Sequence, residues 1–258
     1  MKLPRMNLFY REAGEGQPMI ILHGLFGSSD NWFTLSKTFA GHYRVFTVDQ
    51  RNHGQSPHTD DFNYRLLTDD LAAFVARHQL QRPILLGHSM GGKTVMNFAI
   101  KNPDQLSAAV VVDIAPKAYS VQHDHILEGL EAIPLGSLGS RQEADRILAQ
   151  NVSEADVRQF LLKNLNRTAD GFSWRVNLKA IDRHMNEIVA DLQYPGQYTG
   201  PCLFVKGSRS NYFAEGDDDV IRSRFTHAEF ATLDTGHWVQ AERPREFAEV
   251  VLDFLKRL

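Results

Sequence analysis

Leu86-Gly87-His88-Ser89-Met90-Gly91-Gly92 follows the apolar run that begins at Ile84 and leads into a helical pattern from Lys93 to Lys101. It is a G-x-S-x-G element between a strand and a helix. With 18 glycines and 14 serines in 258 residues, chance supplies roughly 0.07 such matches before that context is required. A strand that becomes a helix within so few residues holds its serine in a strained conformation and lifts Oγ clear of the turn. Small residues at 87 and 91 leave room for the crossing. The same turn aims the Met90 amide, first in the helix, at a point where negative charge could develop. The competing reading is an exposed turn serine with no base beside it.

A serine hydroxyl is a weak nucleophile at neutral pH, so an imidazole must take its proton and later return it to a leaving group. Of 11 histidines, only His237, in Asp234-Thr235-Gly236-His237-Trp238, stands directly after an apolar run (228–233) and before a terminal helix at about Pro244–Leu258. The turn after the penultimate strand, Lys206-Gly207-Ser208-Arg209-Ser210-Asn211, holds no carboxylate, and Ser210 occupies the acid's usual place. Asp113, at the end of Val110-Val111-Val112, keeps the order nucleophile, acid, base. The expectation is that Asp113 orients His237, with Ser210 as a supporting hydrogen-bond partner. Glu215 and the run Asp217-Asp218-Asp219 compete for that role, and they read as a solvated helix N-terminus.

A second oxyanion donor is expected from His23-Gly24-Leu25-Phe26-Gly27, the loop after the strand at 19–22. The Leu25 amide is assigned there, with Phe26 the alternative and His23 a structural anchor of the loop. Losing one such donor typically costs on the order of 2.7–4 kcal/mol of transition-state stabilisation.

Further out, short β-branched or apolar runs at 19–22, 44–48, 84–86, 108–112, 202–206 and 228–233 alternate with helical patterns. One of these, over 64–80, spaces Leu67, Leu71, Phe74, Val75 and His78 by threes and fours. That predicts an α/β protein with a mostly parallel sheet covered by helices on both faces. Between about 117 and 195 the alternation stops and only helices are read, two of them opened by Ser140-Arg-Gln-Glu143 and Ser153-Glu-Ala-Asp156. The expected organisation is a core of 1–116 and 196–258 with a helical cap inserted at 117–195. Cap side chains such as Tyr119, Ile126, Phe160 and Trp174 either line a pocket or pack the cap against itself. His123 and His125 flank Asp124 and suggest either a metal site or, as read here, solvated cap surface; no metal is expected.

A net charge of −3 and the lack of a clustered basic run argue against a nucleic-acid partner. The single cysteine, Cys202, lies in an apolar strand run and suits a reducing compartment. No stretch approaches 18 apolar residues, and Met1-Lys2-Leu3-Pro4-Arg5 lacks the apolar segment of a secretory signal, so no membrane span and a cytoplasmic location are expected.

His23-Gly24-Leu25-Phe26-Gly27-Ser28, Asp49-Gln50-Arg51-Asn52-His53-Gly54-Gln55-Ser56-Pro57, Gly87-His88-Ser89-Met90-Gly91-Gly92-Lys93 and Val112-Asp113-Ile114-Ala115-Pro116 together resemble the YbfF-type bacterial esterases and their mitochondrial abhydrolase relatives. The likeness spans most of the chain outside the cap. It implies the α/β-hydrolase fold, carboxylesterase or thioesterase activity on small-molecule esters with acyl groups of short to medium length, and no cofactor. It also implies the Ser89, Asp113, His237 assignment. Arg51 and His53 are shared with that family and are read as fixing a loop rather than touching substrate. Two other readings stay open: a C–C bond hydrolase or lyase on the same fold, and a noncatalytic binding protein.

Overall fold

The computed structural model describes residues 6–120 and 124–258. The segments 1–5 and 121–123, with the N-terminal signal reading and His123, lie outside the described residues. In chain order the elements are β1 (Tyr10–Ala13), β2 (Pro18–Leu22), α1 (Phe33–Phe39), β3 (Arg44–Val48), α2 (Tyr64–Arg77), β4 (Ile84–His88), α3 (Met90–Lys101) and β5 (Ala108–Val112). Then come α4 (Asp124–Glu131), α5 (Arg141–Leu148), α6 (Ala155–Leu162), β6 (Leu165–Thr168), β7 (Gly171–Trp174), α7 (Leu178–Arg183) and α8 (Met185–Val189). The chain returns to the sheet with β8 (Cys202–Gly207), α9 (Asp217–Arg224), β9 (Ala228–Leu233), α10 (Val239–Glu242) and α11 (Pro244–Leu255).

Seven strands form one sheet in the order β1-β3-β2-β4-β5-β8-β9. Only β1 runs antiparallel, against β3. Side chains alternate across each strand, so Ile20, Leu22, Phe46, Leu85, Val111 and Phe204 pack on one face with residues of α2, α3 and α9. Met19, Ile21, Val45, Leu86, Val110 and Val205 pack on the other with α1 and α11. Burial on both faces is why the inner strands read as unbroken apolar runs. All the strands read from sequence are present. β1 was not read: Tyr10-Arg11-Glu12-Ala13 is a half-exposed edge with no apolar run to announce it.

Helices α4 to α8 are inserted between β5 and β8 and gather their own core, which reaches the sheet domain through Phe26, Phe62, Tyr64, Leu67 and Met90. Ser140 caps α5 as expected, accepting from the Glu143 amide. The other cap differs by one residue, since Glu154 rather than Ser153 precedes α6. The helices-only reading of 117–195 is also corrected: β6 and β7 pair antiparallel there, Leu165 opposite Trp174. Among the described residues no helix is long and apolar enough to cross a membrane.

Candidate active site

Every residue of interest sits at the C-terminal edge of the parallel sheet or in a loop leaving it. Ser89 follows β4 directly and starts α3, with φ 51° and ψ −116°. A Cβ on Gly87 would lie 2.2 Å from the Gly91 carbonyl oxygen, and one on Gly91 2.5 Å from that of Leu22. Strand and helix thus cross too closely for any side chain at either place. The turn is pinned by the Ser89 amide, which donates to the Val112 carbonyl at 2.9 Å. Among the described residues the Ser89 hydroxyl makes no hydrogen bond, a common state before substrate tightens such a site.

Asp113 follows β5 with φ 50°, a second strained residue at a strand end. Its side chain is fully buried, and Oδ1 accepts the Gly207 amide at 2.9 Å. Oδ2 accepts from the Ser210 hydroxyl and, at 2.7 Å, from His237 Nδ1. A carboxylate on Nδ1 fixes the imidazole tautomer and leaves the lone pair on Nε2. The Tyr212 ring stacks on His237 at 3.8 Å and 13°. His88, buried beside the serine, donates from Nε2 to the His237 carbonyl at 2.9 Å. Neither Tyr212 nor His88 was singled out from sequence, and neither carries a local signal, because both act across more than twenty residues of chain.

Of the competing acids, Glu215 and Asp219 are exposed, as expected, and the other two are otherwise engaged. Asp217 was expected to be solvated but is buried, accepting from Lys117 at 2.6 Å and from the Ala214 amide at 2.8 Å. Asp218 pairs with Lys206.

The Phe26 amide donates to His53 Nε2 at 3.2 Å. Among the described residues nothing accepts from the Leu25 or Met90 amides, and both residues share a cavity with Ser89. His53 in turn donates from Nδ1 to the Arg51 carbonyl, and Arg51 forks onto Asp70 at 2.6 and 2.9 Å. His23 donates from Nδ1 to the Gly24 carbonyl and accepts the Gln50 amide on Nε2 at 2.9 Å. These side chains hold the loop, as the sequence reading expected. The insertion contributes too: Asn164 donates to the Phe26 carbonyl at 2.7 Å, and the Asn177 amide donates to the Asn52 carbonyl at 2.9 Å.

Burial lowers His23 to about 4 and His53 to about 3, the latter helped by the neighbouring His23. Both rings are neutral in the fold and titrate near 6.5 in the unfolded chain. Below 6.5 the unfolded chain therefore binds protons that the native state refuses, and stability falls as pH drops from 6.5 towards 4. At about 1.4 kcal/mol per pKa unit, each ring contributes on the order of 3 kcal/mol to that loss. A clear fall in melting temperature between pH 7 and 4.5 is expected. His53→Gln, whose amide oxygen still accepts from Phe26, should flatten the curve; an unchanged slope in that variant would remove His53 from the account.

Two cavities meet at Ser89. One, of about 370 Å³, is lined by His237 and Trp238 and by the insertion's Ile126, Val157 and Phe160. The other, of about 270 Å³, runs along α3 past Lys93 to Tyr64 and Tyr119. They share Leu25, Ser89, Asn211 and Tyr212. Trp174 instead packs within the insertion's own core. Asp124 and His125 are exposed, and no cluster of His, Cys, Asp and Glu among the described residues could hold a metal ion.

The model of the alpha/beta hydrolase fold family matches residues 17–244. The chain is 39% identical over 249 residues to the sn-1-specific diacylglycerol lipase ABHD11 of Mus musculus, covering 92% of this chain and 80% of that one. It is 34% identical over 240 residues to esterase YbfF of Escherichia coli, covering 92% of each. A solved marine microorganism esterase superposes with a TM-score of 0.94 at 36% identity, over 96% of this chain and 99% of that one. A strained serine at a strand-to-helix crossing, an imidazole held by a buried carboxylate and a family match over most of the length converge: the chain belongs to the alpha/beta hydrolase fold family.

Proposed function

We propose that this protein is a serine carboxylesterase that hydrolyses acyl esters, and acyl thioesters, of short to medium chain length. The observation that carries the reading is the 2.7 Å contact of Asp113 with His237 Nδ1, which leaves Nε2 free on a ring that lines the same cavity as Ser89. In this reading Ser89 attacks the carbonyl carbon and passes its proton to His237 Nε2. The Leu25 and Met90 amides receive the oxyanion. His237 then protonates the departing alcohol or thiol, and water, activated by the same nitrogen, frees the acid from Ser89. Asp113 stabilises the imidazolium, and Ser210 helps to hold the carboxylate in place.

Residues 117–195 serve as a cap domain over a core of 1–116 and 196–258, and their side chains line much of the space the substrate enters. Relatives named esterase and lipase support ester chemistry. A lone cysteine, buried with its thiol pushed up by desolvation, fits a reducing cytoplasm. The test is a panel of p-nitrophenyl esters and acyl thioesters from two to sixteen carbons. Cavities of this size predict that kcat/KM peaks at or below about eight carbons. No ester cleaved above background would overturn the reading.

A further inference from the structure

Lys93 stands one helical turn after Ser89 on α3 and lines the 270 Å³ cavity, yet it is only 1% exposed. Its Nζ donates to the Val189 carbonyl at 3.2 Å and to that of Ala190. An ammonium has three N–H groups, so one is left over. The Tyr119 and Tyr64 rings stand 4.9 and 5.7 Å away. Carbonyls and ring faces offer partial charge only. Among the described residues no carboxylate lies within ion-pair distance of Lys93, whereas Lys117, the other cation on this cavity, is committed to Asp217.

Burying a cation without a counter-ion is costly. Burial lowers Lys93 to about 8, opposed by the more distant Asp191, so the group is still protonated at neutral pH. A full positive charge is thus buried in the wall of a cavity that begins at Ser89. The leaving group must stand beside the imidazole that protonates it, which assigns it to the cavity with His237. The acyl chain then enters the other one.

We propose that the cavity along α3 is the acyl pocket and that Lys93 pairs with a carboxylate at the far end of the acyl group, making half-esters of four- and five-carbon diacids preferred substrates. The proposal rests on the ester-hydrolase reading above and names its substrate class. Four residues, about 6 Å of helix rise, separate the two residues that would hold the ends of such a chain. A neutral acyl group of equal length leaves the ammonium unpaired. Charge-assisted hydrogen bonds are strong enough for a discrimination of about tenfold or more.

The experiment compares monoethyl succinate and monoethyl glutarate with ethyl butyrate and ethyl valerate, following acid release by the wild type and by Lys93→Met. The wild type should prefer the half-esters at least about tenfold in kcat/KM, mostly through KM, and the ratio should fall to one or below in the variant. Taking the ratio within each enzyme cancels any general loss from freeing the Val189 and Ala190 carbonyls. Should Lys93→Met not fold, competition in the wild type decides: glutarate must inhibit at least tenfold better than valeramide. Neutral esters cleaved as well as half-esters, or a preference that survives in Lys93→Met, would overturn this proposal alone. No ester cleaved at all would overturn the ester reading and this proposal with it.

Discussion

Ser89→Ala is expected to lower ester turnover by at least about 10⁴-fold while leaving the fold intact. The substitution removes only Oγ, which makes no hydrogen bond among the described residues, so no buried partner is orphaned. The backbone strain at φ 51° is already supported by the Ser89 amide's bond to Val112 and by the glycines on either side. Loss of a nucleophile in a triad typically removes nearly all the catalysis the triad provides, leaving what the oxyanion donors and binding supply. The melting temperature should stay within a few degrees of the wild type. A fluorophosphonate probe should label the wild type and not the variant. Turnover within tenfold of normal, or labelling that persists, would mean that water is activated directly and that no acyl-enzyme forms on Ser89.

Asp113→Asn carries the second large effect, expected at about 10³- to 10⁴-fold in kcat at neutral pH. The carboxylate accepts from three donors at once: the Gly207 amide, the Ser210 hydroxyl and His237 Nδ1. Asparagine has one accepting oxygen and two N–H groups, so one of its ends must set a donor against a donor. If the amide faces Nδ1 with its nitrogen, the imidazole proton shifts to Nε2, which then cannot take the serine proton. Ser210→Ala removes one donor of three and should cost no more than about tenfold. Near-normal turnover in Asp113→Asn, with Asp217→Asn inactive, would transfer the role to the acid that the structure finds paired with Lys117.

These assignments show which parts of the molecule the amino-acid order makes legible. The inner parallel strands are buried on both faces and so spell themselves out as apolar runs, and the serine turn needs glycines at fixed places. Asp113 was reachable because the turn after β8 offers Ser210 where an acid would stand, and the structure puts that hydroxyl on Asp113. The β6–β7 hairpin escaped notice because Leu165-Asn166-Arg167-Thr168 is short and mostly polar, with no periodic pattern to set it apart from a loop. Asp217 is hidden from a sequence reading for a similar reason. An acid at a helix start has an ordinary explanation in the helix dipole, and only coordinates reveal that Lys117, a hundred residues earlier, covers it. His88 and Tyr212 were invisible because their partner is a ring and a carbonyl from a distant loop.

The bond from Asn164 to the Phe26 carbonyl ties the inserted segment to the loop that carries the Leu25 amide, and that from Asn177 to Asn52 ties it to the neighbouring loop whose His53 accepts the Phe26 amide. In the proposed reading, roof and reaction centre are therefore one mechanical unit. An engineer who grafted a foreign roof onto this chassis to change what it accepts would also be retuning how fast it works on everything, unless both asparagines travelled with the graft.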